Sequence, residues 1–320
     1  MSRRSFGRSG LVKVALAATL LAACGGETPS PTPGATSTTG TTTATPTSPS
    51  RSTSIPTSTF TEPPSPTPST TTTAAGTLSG IPVYWVGHSR GEPALFREFR
   101  AVPDAGGQIA SAVAAMTRTK PLDPDYSTPW RPASRVTVKQ TGQSLAVDLS
   151  ADAISATGLT QDVAEIAVHQ LAYTATAAAY VARTPASTVT ITIDGKSALA
   201  WGRVQLGAPT SRAPMSEVQA HAWVLSPQEG DVVKAGTVTF TGYGTSFEAT
   251  FMWRITRADG GRVAEGSVMG GTGTGEFGEL SWTAKLAAGT YIVRLATDDP
   301  SGGAPGSAGA AVDTKAFTVR

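Results

Sequence analysis

The chain has 320 residues, with 25 Lys and Arg against 23 Asp and Glu, three His and one Cys. A net charge of +2 leaves no electrostatic footprint for nucleic acid, and a lone cysteine excludes an intramolecular disulfide framework. No stretch reaches the ~20 apolar residues that a helix needs to span a bilayer.

The N-terminus reads as an export signal. Arg3, Arg4, Arg8 and Lys13 form a positive region, and residues 14–21 form a short apolar core. Leu21-Ala22-Ala23-Cys24 follows directly and resembles the lipobox of bacterial lipoproteins. That resemblance implies removal of residues 1–23 as a signal peptide and a diacylglycerol on the new N-terminal Cys24. Each buried CH2 contributes ~0.8 kcal/mol and two chains give stable anchoring, so the expected location is the extracytoplasmic face of the membrane. Ser2-Arg3-Arg4-Ser5-Phe6 also resembles the start of a twin-arginine signal. Gly7 and Arg8 stand where that pattern has leucine and lysine, so both export routes stay open.

Residues 24–80 are expected to be a lipid-anchored, disordered stalk. From Glu27 to Ser79 the composition is almost wholly Thr, Ser, Pro, Gly and Ala, with Ile55, Phe60 and Leu78 as the large apolar residues. Too little apolar surface is available to offset the entropy of ordering the backbone. Where proline extends such a chain it rises ~3.1 Å per residue, on the order of 150 Å at full stretch. The stalk supplies distance, and its composition suits O-glycosylation.

Residues 81–206 mix strand and helix signals. Residues 81–86 read as a strand, and residues 107–118 as a helix with Ile109, Val113 and Met116 on one buried face. Residues 135–138 and 145–149 read as strands turning at Thr141-Gly142. A long helix is expected over 160–181, capped by Thr160 with Asp162 and Glu165 near its positive end. Residues 189–193 form another strand, closed by Asp194-Gly195.

Tyr84-Trp85-Val86, Val147-Asp148-Leu149-Ser150, Gln170-Leu171-Ala172-Tyr173-Thr174 and Ile193-Asp194-Gly195-Lys196 occur in that order. The region resembles the GerMN domain, a family named for a spore-germination protein and found in actinobacterial lipoproteins. Gln-Leu-x-Tyr-Thr is its most specific part. The chain departs from the family where Lys120-Pro121-Leu122-Asp123-Pro124-Asp125-Tyr126 replaces a leucine-rich turn. The resemblance implies an α+β domain.

After a Pro/Ser-rich linker at 207–219, residues 220–320 carry strand signals only. Residues 237–241 alternate strictly, and Phe251, Trp253 and Ile255 share a face opposite Arg254. Leu280, Trp282, Ala284 and Leu286 share another, as do Tyr291, Val293 and Leu295, and Asp259-Gly260 marks a hairpin turn. Six or seven short strands imply an immunoglobulin-like sandwich without its disulfide. Leu225-Ser226-Pro227 and Ser246-Phe247-Glu248-Ala249 resemble the Ig-like domain that accompanies GerMN in such lipoproteins. The expected fold is thus a GerMN-like α+β domain followed by an all-β sandwich, behind a disordered stalk.

Three patterns look like chemistry. Gly87-His88-Ser89-Arg90-Gly91 fits the nucleophile elbow by spacing, but the oxyanion-hole strand would have to lie in the stalk, so it reads as a loop. Gly273-Thr274-Gly275-Glu276-Phe277-Gly278 precedes a strand where a dinucleotide site needs a helix. His169 lies with Asp162, Glu165 and Thr176 on what reads as a solvated helix face, opposite Val163, Ala167, Leu171 and Ala178. No catalytic residue, cofactor site or metal site is therefore assigned. Gln170 falls near the apolar face, where an amide needs partners. The family resemblance suggests a structural hydrogen bond to a neighbouring strand or loop, near Asp148.

These readings converge on a non-enzymatic envelope lipoprotein. Its expected partners are the membrane, through lipidated Cys24, and an envelope protein or the cell wall, in envelope assembly or sporulation and germination. Two rivals are a lipoprotein that binds a glycan or small solute through the first domain and, remotely, a serine hydrolase using Ser89.

Overall fold

The computed structural model describes residues 76–299, 302, 304 and 309–320. Cys24, the export segment and nearly all of the stalk lie outside these residues. Among the described residues, no helix is long and apolar enough to cross a membrane.

The α+β part opens with β1 (Thr77–Ser89) and β2 (Glu92–Pro103), a long antiparallel hairpin. Its two-residue turn holds Arg90 at φ 55° and Gly91 at φ 85°, the left-handed pair that matches the twist of a tight hairpin. Helix α1 (Gln108–Arg118) follows, with Asp104 accepting from the Gly106 and Gly107 amides ahead of it. Then come β3 (Val136–Thr141), β4 (Ser144–Leu149), α2 (Gln161–Val181) and β5 (Thr188–Ile193). Thr160 caps α2 by accepting from the Val163 amide at 3.3 Å. One short pair, β6 (Leu199–Ala200) with β7 (Val204–Gln205), leads to β8 (Pro209–Ser211). The sheet order is β3-β4-β5-β8, and the parallel β4–β5 pair is joined by the α2 crossover.

After the one-turn helix α3 (Met215–Val218) the described elements are strands, apart from a 3-10 turn at Phe247–Ala249. Strands β9 (Ala222–Ser226), β10 (Val232–Val233), β11 (Gly236–Gly244) and β12 (Thr250–Arg257) come first. Next are β13 (Arg262–Met269), β14 (Gly278–Leu286), β15 (Gly289–Thr297) and β16 (Val312–Val319). A β14-β11-β9 sheet packs on a β10-β16-β15-β12-β13 sheet. Between them Phe240 stacks on Trp282 at 5.4 Å and meets Phe317 edge-on at 5.6 Å. The alternating faces expected for β12, β14 and β15 point inward. This is an α+β domain followed by an immunoglobulin-like sandwich.

Several local expectations need correction. The first strand starts at Thr77, four residues early, and the sequence reading missed β2 altogether. Residues 207–219 are more than a join: β8 completes the first sheet and Val218 is buried against Tyr84 and Leu95. The same segment changes the character of α2. One side of that helix packs Ala167, Leu171, Ala175 and Ala178 into the main core, and the other packs Ile166, Tyr173 and Ala177 under Val218. Thr176, placed by the helical wheel on a wet face, is buried because Arg212 and Ala213 lie over that side.

Candidate functional site

Gln170, Tyr173 and Thr174 of α2 assemble around Tyr84 of β1. Gln170 is 0% exposed, and its Nε2 donates to the Tyr84 carbonyl at 2.8 Å while Thr128 Oγ1 donates to its Oε1 at 3.2 Å. One turn on, Thr174 Oγ1 accepts from the Tyr84 amide at 3.0 Å. Tyr173 sets its ring edge against that of Tyr84 at 5.2 Å and donates its hydroxyl to the Ala213 carbonyl. The i, i+4 spacing of Gln170 and Thr174 puts both on one helix face, so α2 takes up both backbone groups of Tyr84. This edge of β1 is closed by side chains where another strand would otherwise pair.

Asp148 lies elsewhere. It pairs with Arg135 and accepts from Thr192 Oγ1 at 2.7 Å and from the Gly195 amide at 2.6 Å. Arg135 also reaches Asp194 at 2.7 Å, so this network fastens the β3, β4 and β5 ends at the surface. The expectation that Gln170 bonds near Asp148 is therefore replaced: the partner strand is β1. Substituting Gln170→Leu removes this buried hydrogen bond to the Tyr84 carbonyl, at a cost of ~1–3 kcal/mol. Differential scanning calorimetry should show a lower melting temperature; unchanged melting with altered binding would assign Gln170 to a ligand.

Ser89 closes β1 just before the hairpin turn, so the Gly87–Gly91 pattern spans a strand end and a turn, not a loop. Ser89 is buried, and its Oγ accepts from the His221 amide at 3.2 Å and lies 3.5 Å from His221 Nδ1. No carboxylate is bonded to that imidazole among the described residues, and the serine oxygen already caps a backbone donor. Burial, aided by the Arg90 guanidinium, holds the His221 pKa below its ordinary 6.5. The His169 pKa is lowered by burial too, against Glu165 and Glu217. Stability from both histidines is present above the unfolded value and is lost as pH falls through the folded value. Melting temperature should therefore drop between pH 7 and 5, and His221→Gln should flatten part of that slope.

A second constellation, absent from the sequence reading, joins the two halves. Lys315 and Asp313 sit on β16 with side chains 3% and 4% exposed, and Lys315 Nζ donates to Asp123 Oδ2 at 2.6 Å and Asp313 Oδ1 at 2.7 Å. Tyr126 Oη donates to Asp313 Oδ1 at 2.7 Å, and Asp313 Oδ2 accepts the Val224 amide at 2.7 Å. Glu98 on β2 holds the 120–126 loop by accepting from the Leu122 and Asp123 amides. Nearby, Gln228 clamps Phe99, accepting from its amide at 2.7 Å and donating to its carbonyl at 3.0 Å. Trp223, Leu225 and Tyr243 belong to the same apolar core as Trp85, Phe96 and Tyr126. The signal was parity: Asp313 and Lys315 alternate in step with the buried Phe317 and Val319, so two charges stand at inward positions.

Two clefts open nearby. One of about 580 Å³ lies in the α+β half between the end of α2 and β8, lined by Tyr180, Pro185, Ala186, Arg212 and Pro214. The other, about 400 Å³, lies at the seam beside His88, Asp125, Tyr126 and Thr314. No group of His, Cys, Asp and Glu able to hold a metal ion occurs among the described residues.

Residues 82–199 match a family model described as sporulation and spore germination. Residues 221–304 match another described as the immunoglobulin-like domain of bacterial spore germination. Among solved structures, CopC from Methylosinus trichosporium OB3b is similar at 25% identity, over 31% of this chain and 93% of that one, with a TM-score of 0.23. The CARDB domain of the PF1109 protein from Pyrococcus furiosus, solved in complex with di-metal ions, is similar at 15% identity over 31% and 85%, with a TM-score of 0.22. No curated protein matches.

Proposed function

We propose that this chain is a non-catalytic envelope lipoprotein, held to the outer face of the membrane by lipidated Cys24, whose two domains form one binding head in sporulation- or germination-related envelope processes. The observation that carries this reading is the pair of matched segments, sporulation and spore germination followed by the immunoglobulin-like domain. The seam supports it, because Ser89 and His221 serve there in packing and backbone capping. The lipobox-like Leu21-Ala22-Ala23-Cys24 supports the anchor.

The anchor is tested by metabolic labelling with an alkyne fatty acid. The expected result is a labelled, membrane-fraction protein, with Cys24→Ala losing the label and shifting to the soluble fraction. A Cys24→Ala protein that stays in the membrane fraction would refute lipid anchoring. For the head, in-cell crosslinking should recover one dominant envelope protein; recovery of peptidoglycan alone would reassign it to wall binding.

The cleft beside α2 favours one second reading, capture of a small solute or glycan by the α+β half. Its volume of about 580 Å³ falls within the range of small-molecule sites. A ligand of that kind raises the melting temperature, and the rise continues with the logarithm of its concentration above Kd.

A further inference from the structure

We propose that Lys315 and Asp123 condense into a side-chain amide that covalently ties the sandwich to the α+β half, with Asp313 carrying the proton. Three ionisable groups and one phenol meet here, all buried. Lys315 Nζ lies 2.6 Å from Asp123 Oδ2, 2.7 and 2.9 Å from the two Asp313 oxygens, and 2.6 Å from Tyr126 Oη. Asp123 and Lys315 side chains are 1% and 3% exposed.

An ordinary ion pair would match one ammonium with one carboxylate. Here two carboxylates share one ammonium at a buried position, so one negative charge is in excess. Condensation neutralises two of the three buried charges and leaves the net charge of the cluster unchanged. The carboxylate that remains, Asp313, keeps the Tyr126 hydroxyl and the Val224 amide as donors.

The parts for the reaction are in place. Asp123 is fixed from both sides: its own amide donates to Glu98, and its Oδ1 accepts the Asp125 amide at 2.8 Å. That amide faces the oxygen on which charge develops when the carbonyl carbon is attacked, the position of an oxyanion donor. The Phe96–Tyr126 stack at 4.5 Å walls the site, and Lys315 Nζ rests 4.5 Å from the Tyr126 ring centre. Holding amine and carboxyl in contact supplies the proximity an intramolecular condensation requires.

The step balances within the cluster. One ammonium proton passes to Asp313, and the freed lone pair on Nζ attacks Asp123 Cγ. The Nζ–Cγ bond forms and the Cγ–Oδ2 bond breaks. Oδ2 leaves as water with two protons, one from the attacking nitrogen and one returned by Asp313. No oxidant, metal or activated donor is consumed. Burial pushes the Asp313 carboxyl up, which suits it to take the proton. Burial also opposes the charge on Lys315, but the two aspartates outweigh it, so the ammonium is the resting form and the free amine is the minor, reactive one.

The experiment is peptide mapping of the purified full-length protein. Trypsin, which does not cut before Pro121 or Pro132, should leave residues 119–135 joined to residues 295–320, uncut at Lys315, with a mass equal to the sum less one water. Lys315→Arg, which keeps the charge but cannot form the bond under these conditions, marks the unlinked peptides. Asp313→Asn should lose the joined peptide. Free 119–135 together with cleavage after Lys315 in the folded wild-type protein would overturn the proposal. Full linkage in Asp313→Asn would overturn the role of Asp313.

Discussion

Replacing Lys315 by methionine is expected to remove about 3–5 kcal/mol of stability, because it leaves Asp123 and Asp313 buried without a cation. For a folded unit of this size, that corresponds to a fall of roughly 10 °C in melting temperature. The loss has a specific origin. Lys315 is the donor that satisfies both aspartates at once, and no other cation bonds either of them among the described residues. Converting the pair on β16 to apolar residues, Asp313→Leu with Lys315→Met, should recover part of the loss, since it removes one stranded carboxylate. A single Lys315→Met variant that melts within a degree or two of the parent would show that the cluster is hydrated and carries little weight.

Trp223→Ala should be comparably damaging, at about 3–5 kcal/mol, and its effect should cross the seam. Trp223 is 1% exposed and packs against Tyr243 at 5.2 Å and Phe277 at 6.5 Å. Its indole N–H has no hydrogen-bond partner among the described residues, so the loss comes from packing and the cavity left behind. The residue lies on β9 of the sandwich but belongs to the core that contains Trp85 and Phe96. Amide exchange should therefore accelerate in β1 and β2 as well as in the sandwich. Protection in β1 and β2 that matches the parent would mean that the two halves unfold independently, and would refute a shared core.

Much of this architecture was legible in residue order. Period-2 alternation placed the inward faces of β12, β14 and β15, and the Thr160 cap marked the start of α2. The failures share one physical cause, burial by a segment distant in sequence. Strand β2 carries Arg97 and Glu98 at its middle, which breaks the apolar alternation; both are buried because the loop and the sandwich close over them. Thr176 on α2 looked wet because the cover comes from Arg212 and Ala213. Gln170 lies near an apolar face where an amide needs partners, but a helical wheel cannot say that they are Tyr84 and Thr128. The Lys315 cluster draws on residues nearly two hundred positions apart, and only the inward parity of two charges on β16 hinted at it.

The Gln228 clamp on Phe99 bears on avidity. A flexible joint would let the two domains meet two sites on a partner only after surrendering their relative freedom, and that entropy would be subtracted from the second contact. With both backbone groups of Phe99 hydrogen-bonded to the Gln228 side chain, the freedom is surrendered once, during folding. A partner that touches both halves then meets a surface of fixed spacing. Its two contacts add with little loss, while a partner of the wrong spacing is rejected without any steric clash.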